Sequence, residues 1–365
     1  MKALILAGGY ATRLRPLSCT RPKLLFPIAG RPMLEWIIEN LAKEGVDEII
    51  LAVNYMADLL RKHFKSRFNG IRIRYSIDPT PLGTGGPIKQ AQGLLGGKGT
   101  FLAMNGDILS EAPIKSMLKA HRETGAIVTI ALHKVEDPSR FGVAKMANRK
   151  RIEAFIEKPR KSDARSSWIN AGIYIMEPRV FNYIDAGRKV SVEREVFPIL
   201  AKREKLYGFK YYGPWFDIGK FEDYMNANHK FLARISGRTP MVGNGTKVRR
   251  STQLIPPVVI NRKVEIGDDC VIGPYVAIDD HVEIERGSRI ARSILFQESK
   301  IGELSSIDSS IVGEHVVTGR NVKLRGGTIV SDYVSVRDNI TLGPRVIICP
   351  YKEVDQSILK PMSVK

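Results

Sequence analysis

Isoleucine recurs every six residues through Ile260, Ile266, Ile272, Ile278, Ile284 and Ile290. That period matches neither the 3.6 of a helix nor the 2 of a plain strand. It fits a hexapeptide solenoid, in which short strands turn at regular corners and one apolar residue per hexad points inward. The row returns as Val316, Val322, Thr328, Val334, Ile340 and Val346, with one polar member. Val264, Cys270, Val276 and Val282 make a second row at the same period, which places Cys270 in the core. Gly267, Gly273, Gly302 and Gly313 follow inward residues and suit corners. The register breaks between Gln297 and His315, where a loop or an irregular coil is expected.

Residues 1–235 have a different rhythm. Ala3–Ala7, Glu48–Val53, Ile71–Ile77, Thr100–Met104, Ile127–Leu132 and Ile173–Met176 read as strands. Met33–Lys43 carries Leu34, Ile37, Ile38 and Leu41 at helical spacing, with Gly45 placed to end that helix. Met56–Phe64 reads as another helix. Strands alternating with helices predict a mostly parallel sheet whose ligands bind beyond the strands' carboxyl ends. The chain therefore divides into 1–235, an α/β domain, and 236–365, a solenoid, linked by Ile235–Asn244.

The three cysteines, Cys19, Cys270 and Cys349, are far apart and form no C-x-x-C pair, so neither a zinc site nor a disulfide framework is expected. No apolar run reaches the ~20 residues of a membrane span, and no signal peptide is read, which makes the cytoplasm the expected compartment. The net charge of +19 is compatible with nucleic acid or with a small polyanionic substrate. The cations are scattered and no nucleic-acid motif accompanies them, so the small anion is the better reading.

The first strand empties into Gly8-Gly9 and then a basic stretch with Arg13, Arg15, Arg21 and Lys23. Bare backbone beside four cations suits phosphate oxygens. Neither a P-loop nor a G-x-G-x-x-G turn is present. Leu6-Ala7-Gly8-Gly9-Tyr10-Ala11-Thr12-Arg13-Leu14-Arg15-Pro16-Leu17-Ser18, followed by Pro22-Lys23, resembles the fingerprint of the sugar-1-phosphate nucleotidyltransferase family. One position departs from it: Ala11 stands where the family has glycine. If that position needs a positive φ, alanine is strained there.

The resemblance continues in order down the chain. Pro81-Leu82-Gly83-Thr84-Gly85-Gly86 is similar to the base-recognition segment, and Asn105-Gly106-Asp107 to a metal-binding turn. Asp137–Val143, Glu157-Lys158-Pro159 and Asn170–Tyr174 are similar to the sugar-phosphate site, and Trp215–Gly219 to a second metal-binding segment. Ser191–Pro198 and Leu51–Met56 resemble the GDP-mannose pyrophosphorylase branch. The implied fold is a Rossmann-like mixed-sheet nucleotidyltransferase domain followed by a left-handed parallel β-helix with three hexads per coil.

The implied reaction joins a nucleoside triphosphate to a sugar 1-phosphate and releases pyrophosphate. The branch implies GTP and mannose 1-phosphate, giving GDP-mannose. The nucleophile is already an anion, so positioned cations and Mg²⁺ matter more than a general base. The roles implied are Gly8, Gly9, Arg13 and Lys23 at the phosphates, and Gly83 and Gly85 near the base. Asp107 and Asp217 would hold Mg²⁺. Gly142, Glu157, Lys158 and Asn170 would border the sugar phosphate.

Asp78 lies just upstream of the base segment, where a carboxylate can accept from both guanine N1–H and N2–H₂ or can simply begin a turn. His281 and His315 fall in the solenoid, as a general base of an acyltransferase or as surface corner residues. Three alternatives stay open. They are a glucose enzyme using UTP or dTTP, added acetyl transfer on the solenoid, and a weakly catalytic regulatory subunit that binds a nucleotide sugar. A homo-oligomer is expected because solenoid ends expose strand edges.

Overall fold

The computed structural model describes residues 1–78, 80–97, 99–147, 150–163 and 166–364. Packing divides the chain into two compact units, and the division is not linear. One unit holds Met1–Tyr10 and Leu34–Asp217; the other holds Ala11–Met33 and Ile218–Lys365. The basic stretch after Tyr10 therefore packs with the C-terminal unit.

The first unit is built on a mixed sheet. Its central strand, Lys2–Leu6, pairs in parallel with Glu48–Val53 on one side and Phe101–Asn105 on the other. Glu48–Val53 pairs in parallel with Ile71–Ile77. Beyond Phe101–Asn105 the sheet turns antiparallel through Trp168–Met176, which also pairs with Val128–Lys134. Buried apolar runs such as Ile49–Val53 and Leu102–Met104 reflect a sheet covered on both faces. The helix Met33–Lys43 buries Leu34, Ile37, Ile38 and Leu41, as its spacing requires. It ends at Gly45, whose φ of 84° is the left-handed conformation that glycine adopts without a Cβ clash. Trp168–Met176 is longer than the predicted strand and slips register between Asn170 and Tyr174.

The second unit contains three stacked parallel sheets of 8, 7 and 6 short strands. Partner strands in a sheet come from successive coils, for example Val258 opposite Val276 and Glu265 opposite Glu283. This is the three-sided prism of a β-helix, and the inward rows fill it: Ile272, Ile278, Val282 and Val316 are fully buried, as is Cys270 to within 1%. The corners take left-handed backbone on ordinary residues, including Asp269, Tyr275, His281, His315, Tyr333 and Tyr351. The register break is not a loop. The same corner loses one residue in two successive coils: Val271 pairs with Arg289 but Ala277 with Ile294, and Ser306 with Lys323 but Ile311 with Ile329. The shortened steps are 289–294 and 306–311, the first of them upstream of the expected stretch. Losing a residue at the corner keeps the inward alternation on both sides, so the prism continues uninterrupted.

Residues 11–33 contribute three 3₁₀ turns, Thr12–Leu14, Leu17–Cys19 and Lys23–Leu25, and a hairpin joining Pro27–Ile28 to Arg31–Pro32. The helix Phe221–Ile235 packs on this hairpin, with the buried Tyr224 hydroxyl donating to Pro27 O at 2.6 Å and Asn228 Oδ1 accepting from Ala29 N at 2.8 Å. Among the described residues, no helix is long and apolar enough to cross a membrane.

Candidate active site

In the α/β unit, four parallel strands lie side by side in the order Phe101–Asn105, Lys2–Leu6, Glu48–Val53, Ile71–Ile77. The chain leaves the central strand for one neighbour and returns to the other. That reversal opens a crevice at the strands' carboxyl ends. The residues that follow those ends are Asp107, then Gly8 and Gly9, then Asn54 and Tyr55, then Asp78. Main-chain bonds tie the rim together: Gly106 N donates to Leu6 O at 2.9 Å and Ala7 N to Ala52 O at 2.8 Å.

Neither Gly8 nor Gly9 has a positive φ, so backbone angle does not demand glycine here. A Cβ on Gly9 would meet nothing within 4 Å, and one on Gly8 would touch only Asn54 and the Ala52 carbonyl at 3.6–3.8 Å. What glycine provides is uncovered main chain in the crevice. Asp217 belongs with Asp107. Its strand, Trp215–Asp217, pairs antiparallel with Ile108–Ser110, and Asp217 stands opposite Ile108, the residue after Asp107. Both carboxylates are half-buried. Trp215 steadies this segment by donating Nε1–H to Ala171 O at 3.0 Å and stacking on His133 with centroids 5.2 Å apart.

The sugar-phosphate candidates are gathered on the antiparallel side. Gly142 stands opposite Glu157, and a Cβ on it would lie 2.7 Å from Glu157 Oε2 and 2.4 Å from the Phe155 ring. The missing side chain is what lets that carboxylate lie across the strand. Burial, and then the neighbouring Glu193, pushes the Glu157 carboxyl above its usual range, against the pull of Lys158. Lys158 is exposed and its Nζ stands 3.7 Å from Glu157 Oε1. Asn170 Nδ2 donates to the Tyr174 hydroxyl and its Oδ1 accepts from Gly172 N, both at 2.9 Å. The buried Tyr174 hydroxyl feels the charges of Glu193, Glu157 and Asp107 together. The structure thus brings Asp107, Glu157 and Asn170 around one residue.

Asp78 is 3% exposed and its Oδ1 has no hydrogen-bond partner. Burial pushes its carboxyl up to about 6. Gly83 and Gly85 have packing reasons to be glycine: a Cβ would come within 2.4 Å of Val190 O and 2.7 Å of Val190 Cγ1, respectively. The segment is thereby pinned beside Ser191–Glu193.

Two groups were not singled out as site residues from sequence. Glu193, nearly buried, accepts from Thr84 Oγ1 at 2.6 Å and Ser191 Oγ at 2.7 Å, so it bridges the base segment to the Glu157 side. The signal was the Ser191–Pro198 motif, read only as a mark of branch. Tyr10 and Tyr55, each 43% exposed, bring their rings to 5.6 Å at the rim. A separate groove of ≈ 450 Å³ lined by Lys115, Leu118, Lys119, Arg122 and Glu123 contains none of the candidate residues.

Arg13 and Lys23 belong to the second unit. Arg13 is exposed in its 3₁₀ turn and Lys23 is half-buried at the start of another. Arg21 departs from the expected phosphate role. Its guanidinium is buried against Asp332 at 2.8 Å and against Glu314. Ala11 has the positive φ anticipated for a glycine position, 45°. His281 and His315 sit at prism corners, and His315 lies between Glu298 and Glu314 at 3.3 and 3.4 Å.

The family model described as "Nucleotidyl transferase" matches residues 2–234, and the one described as "GMPPB C-terminal domain" matches residues 254–364. This chain belongs to the nucleotidyl transferase family. The nucleotidyl transferase is 37% identical over 367 residues to mannose-1-phosphate guanylyltransferase 1 of Arabidopsis thaliana, covering 99% of each chain. It is 35% identical over 377 residues to mannose-1-phosphate guanyltransferase of Aspergillus oryzae, again across 99% of each. Among solved structures it is similar to HddC from Yersinia pseudotuberculosis complexed with GMP-PN, with a TM-score of 0.53 and 30% identity, covering 63% of this chain and 99% of that one.

Proposed function

We propose that this nucleotidyl transferase moves a guanylyl group from GTP to mannose 1-phosphate. A phosphate oxygen of the sugar phosphate attacks the α-phosphorus, the bond from that phosphorus to the bridging oxygen breaks, and pyrophosphate leaves. No proton needs to move, which agrees with a crevice that has carboxylates and bare amides at its rim. The observation that carries the reading is the placement of Asp107 and Asp217 one register position apart at the strand-order reversal.

Among the described residues there is no group of three or more His, Cys, Asp or Glu that could hold a metal. Two carboxylates are what Mg²⁺ asks of a protein when substrate phosphates and water complete its shell. Asp107 and Asp217 would hold it, and the cation would supply neutralisation of the charge spreading over the phosphates. Gly8 and Gly9 offer amide donors to the nucleotide, while Arg13 and Lys23 counter the triphosphate. Lys158 pairs the sugar phosphate, with Gly142, Glu157 and Asn170 bordering the ring.

Asp78 supports guanine in particular. Its partnerless buried oxygen wants a donor, and guanine N1–H and N2–H₂ supply two side by side, whereas uracil and thymine offer a single N3–H flanked by carbonyls on that edge. The mannose substrate rests on the full-length likeness to the plant and fungal enzymes. Pyrophosphate release across an array of nucleoside triphosphates and sugar 1-phosphates tests the reading. GTP with mannose 1-phosphate is expected to lead. Preference for UTP or dTTP with glucose 1-phosphate would reassign the substrate, and no release with any pair would overturn transfer itself.

A further inference from the structure

Arg21 sits two residues before Lys23, in a stretch that reads as a row of phosphate-binding cations. The structure gives its charge to the β-helix instead. The guanidinium donates to Asp332 Oδ2 at 2.8 Å and to Glu314 Oε2, and its Cζ lies 4.8 Å from the centroid of the buried Phe296 ring. The preceding Thr20 donates its hydroxyl to the same Asp332 oxygen. Only 10% of the Arg21 side chain is exposed and none of Asp332.

The socket has bonds of its own that do not involve Arg21. Asp332 Oδ1 accepts from Glu314 N at 2.7 Å, which ties two successive coils together. Glu314 Oε1 accepts from Gln297 Nε2 at 2.7 Å. Three neighbouring coils therefore fix the two carboxylates relative to each other. A second anchor holds the far end of the stretch: Asn261 Nδ2 donates to Gly30 O at 2.5 Å and to Asp279 Oδ1 at 2.9 Å. Gly30 must be glycine there, since at its φ of 79° a Cβ would also lie 2.6 Å from Asn261 Oδ1.

Simple adhesion does not call for this arrangement. Phe26 already packs edge-on against Tyr224 and Phe296, which buries apolar area without direction. A buried ion network is often no more stable than well-packed apolar residues of the same volume. This one is also incomplete, because Arg21 Nε is buried without a partner. What one guanidinium nitrogen, Nη2, shared between two fixed carboxylates, with the planar group over Phe296, adds is direction and register.

We propose that Arg21 is a positioning residue, docked in a β-helix socket made by Glu314 and Asp332, and that it sets the conformation from which Arg13 and Lys23 act on the nucleotide's phosphates. The proposal rests on the nucleotidyl-transfer reading. It gives the β-helix a share in turnover without placing any of its residues on substrate.

The experiment compares wild type with Arg21→Lys, which keeps the charge and replaces the planar guanidinium over Phe296 by a compact ammonium on a flexible stem. A second variant, Arg21→Met/Glu314→Gln/Asp332→Asn, removes all three charges so that none is left buried alone. Circular dichroism and thermal unfolding report folding, and pyrophosphate release gives kcat and both KM values. In the folded variants kcat is expected to fall by about 10–100-fold, the penalty for small misplacement of groups at a reacting centre. The KM for mannose 1-phosphate is expected to stay within about twofold, because the groups assigned to that substrate lie in the other unit. Asp332→Asn combined with Arg21→Lys should lose no more than the worse single change.

A purely structural role would lower the unfolding temperature and leave kcat per folded molecule unchanged. A loss below tenfold in both folded variants would overturn the proposal, as would multiplied losses in the double variant. Absence of release from wild type with every substrate pair would overturn the transfer reading, and this proposal with it.

Discussion

Asp78 in the α/β unit is 3% exposed and one of its carboxylate oxygens has no partner, whereas Asp332 in the β-helix unit is fully buried and receives the Thr20 hydroxyl, the Arg21 guanidinium and the Glu314 amide. The same side chain has been taken out of water twice, with opposite accounting. Leaving a buried carboxylate short of donors costs stability, and burial pushes Asp78 up to about 6. Such a cost persists where a ligand can supply the missing donor. Where donors are all internal, as at Asp332, the group holds chain to chain. The comparison separates a buried carboxylate left short of donors from one whose donors tie chain to chain.

The largest test of the α/β unit is removal of its paired carboxylates. Asp107→Ala or Asp217→Ala should lower kcat by about 10²–10³ or more with the α/β fold intact, the range for losing a key electrostatic element. Pyrophosphate release on protein checked by circular dichroism measures it. Near-normal turnover in a folded variant would take that residue out of the metal pair.

The β-helix core should answer in stability rather than rate. Ile284 points into the prism and is 3% exposed. Ile284→Ala should cost about 2–5 kcal/mol by cavity formation, read from denaturant unfolding. Turnover per folded molecule should stay near wild type. A large fall in kcat with unchanged stability would mean that the prism core reaches the chemistry by a route other than its fold.

Asp78→Asn probes the α/β unit with a smaller effect. Loss of an ionised acceptor should narrow the preference for GTP over UTP by about 10–100-fold, equivalent to ~1–3 kcal/mol. In wild type, the same preference should decline as pH falls through about 6, because the protonated carboxyl no longer offers two acceptors. Stability should move the other way. The folded carboxyl titrates above its ordinary value, so ionisation disfavours the folded state. Relative to wild type, the Asn variant should gain stability as pH rises from about 4 to about 6 and hold that gain above it. An unchanged nucleotide preference would make Asp78 a turn residue only.

The two units differ in how far they could be read from sequence. The inward rows of the prism recur at a fixed step, so Ile272, Cys270 and Val316 announce themselves. The shortened steps at 289–294 and 306–311 do not, because removing one corner residue leaves alternation intact on both sides. In the α/β unit, Asp107 and Asp217 stand out as motif carboxylates, but the bond between them is a strand pairing over a hundred residues apart. The role of Arg21 is hidden for the same reason. Its near neighbours are cations, and the carboxylates that claim it lie about three hundred residues downstream. Glu193 is legible as part of a motif, while its contacts with Thr84 and Ser191 come only with the fold.

Ala11 gives the finest test, because it sits where the chain passes from one unit to the other. Its backbone, at φ 45° and ψ 45°, lies in the left-handed region, where a Cβ costs roughly 1–2 kcal/mol. Yet its carbonyl accepts from both Leu14 N and Ser18 Oγ at 2.9 Å, so the turn is held despite the strain. Ala11→Gly removes the strain and also frees the unfolded chain, which offsets about 0.4–1 kcal/mol of the gain. The net change should be a stabilisation of about 1 kcal/mol or less, seen as a rise of a few degrees in Tm. If the socket at Arg21 sets the conformation of the stretch, kcat should stay within about twofold, since relief of strain at Ala11 leaves the anchors in place. A rise of tenfold or more would instead locate the control of turnover in the turn itself, and would shift the positioning role from the β-helix socket to the single residue where this chain lacks a glycine.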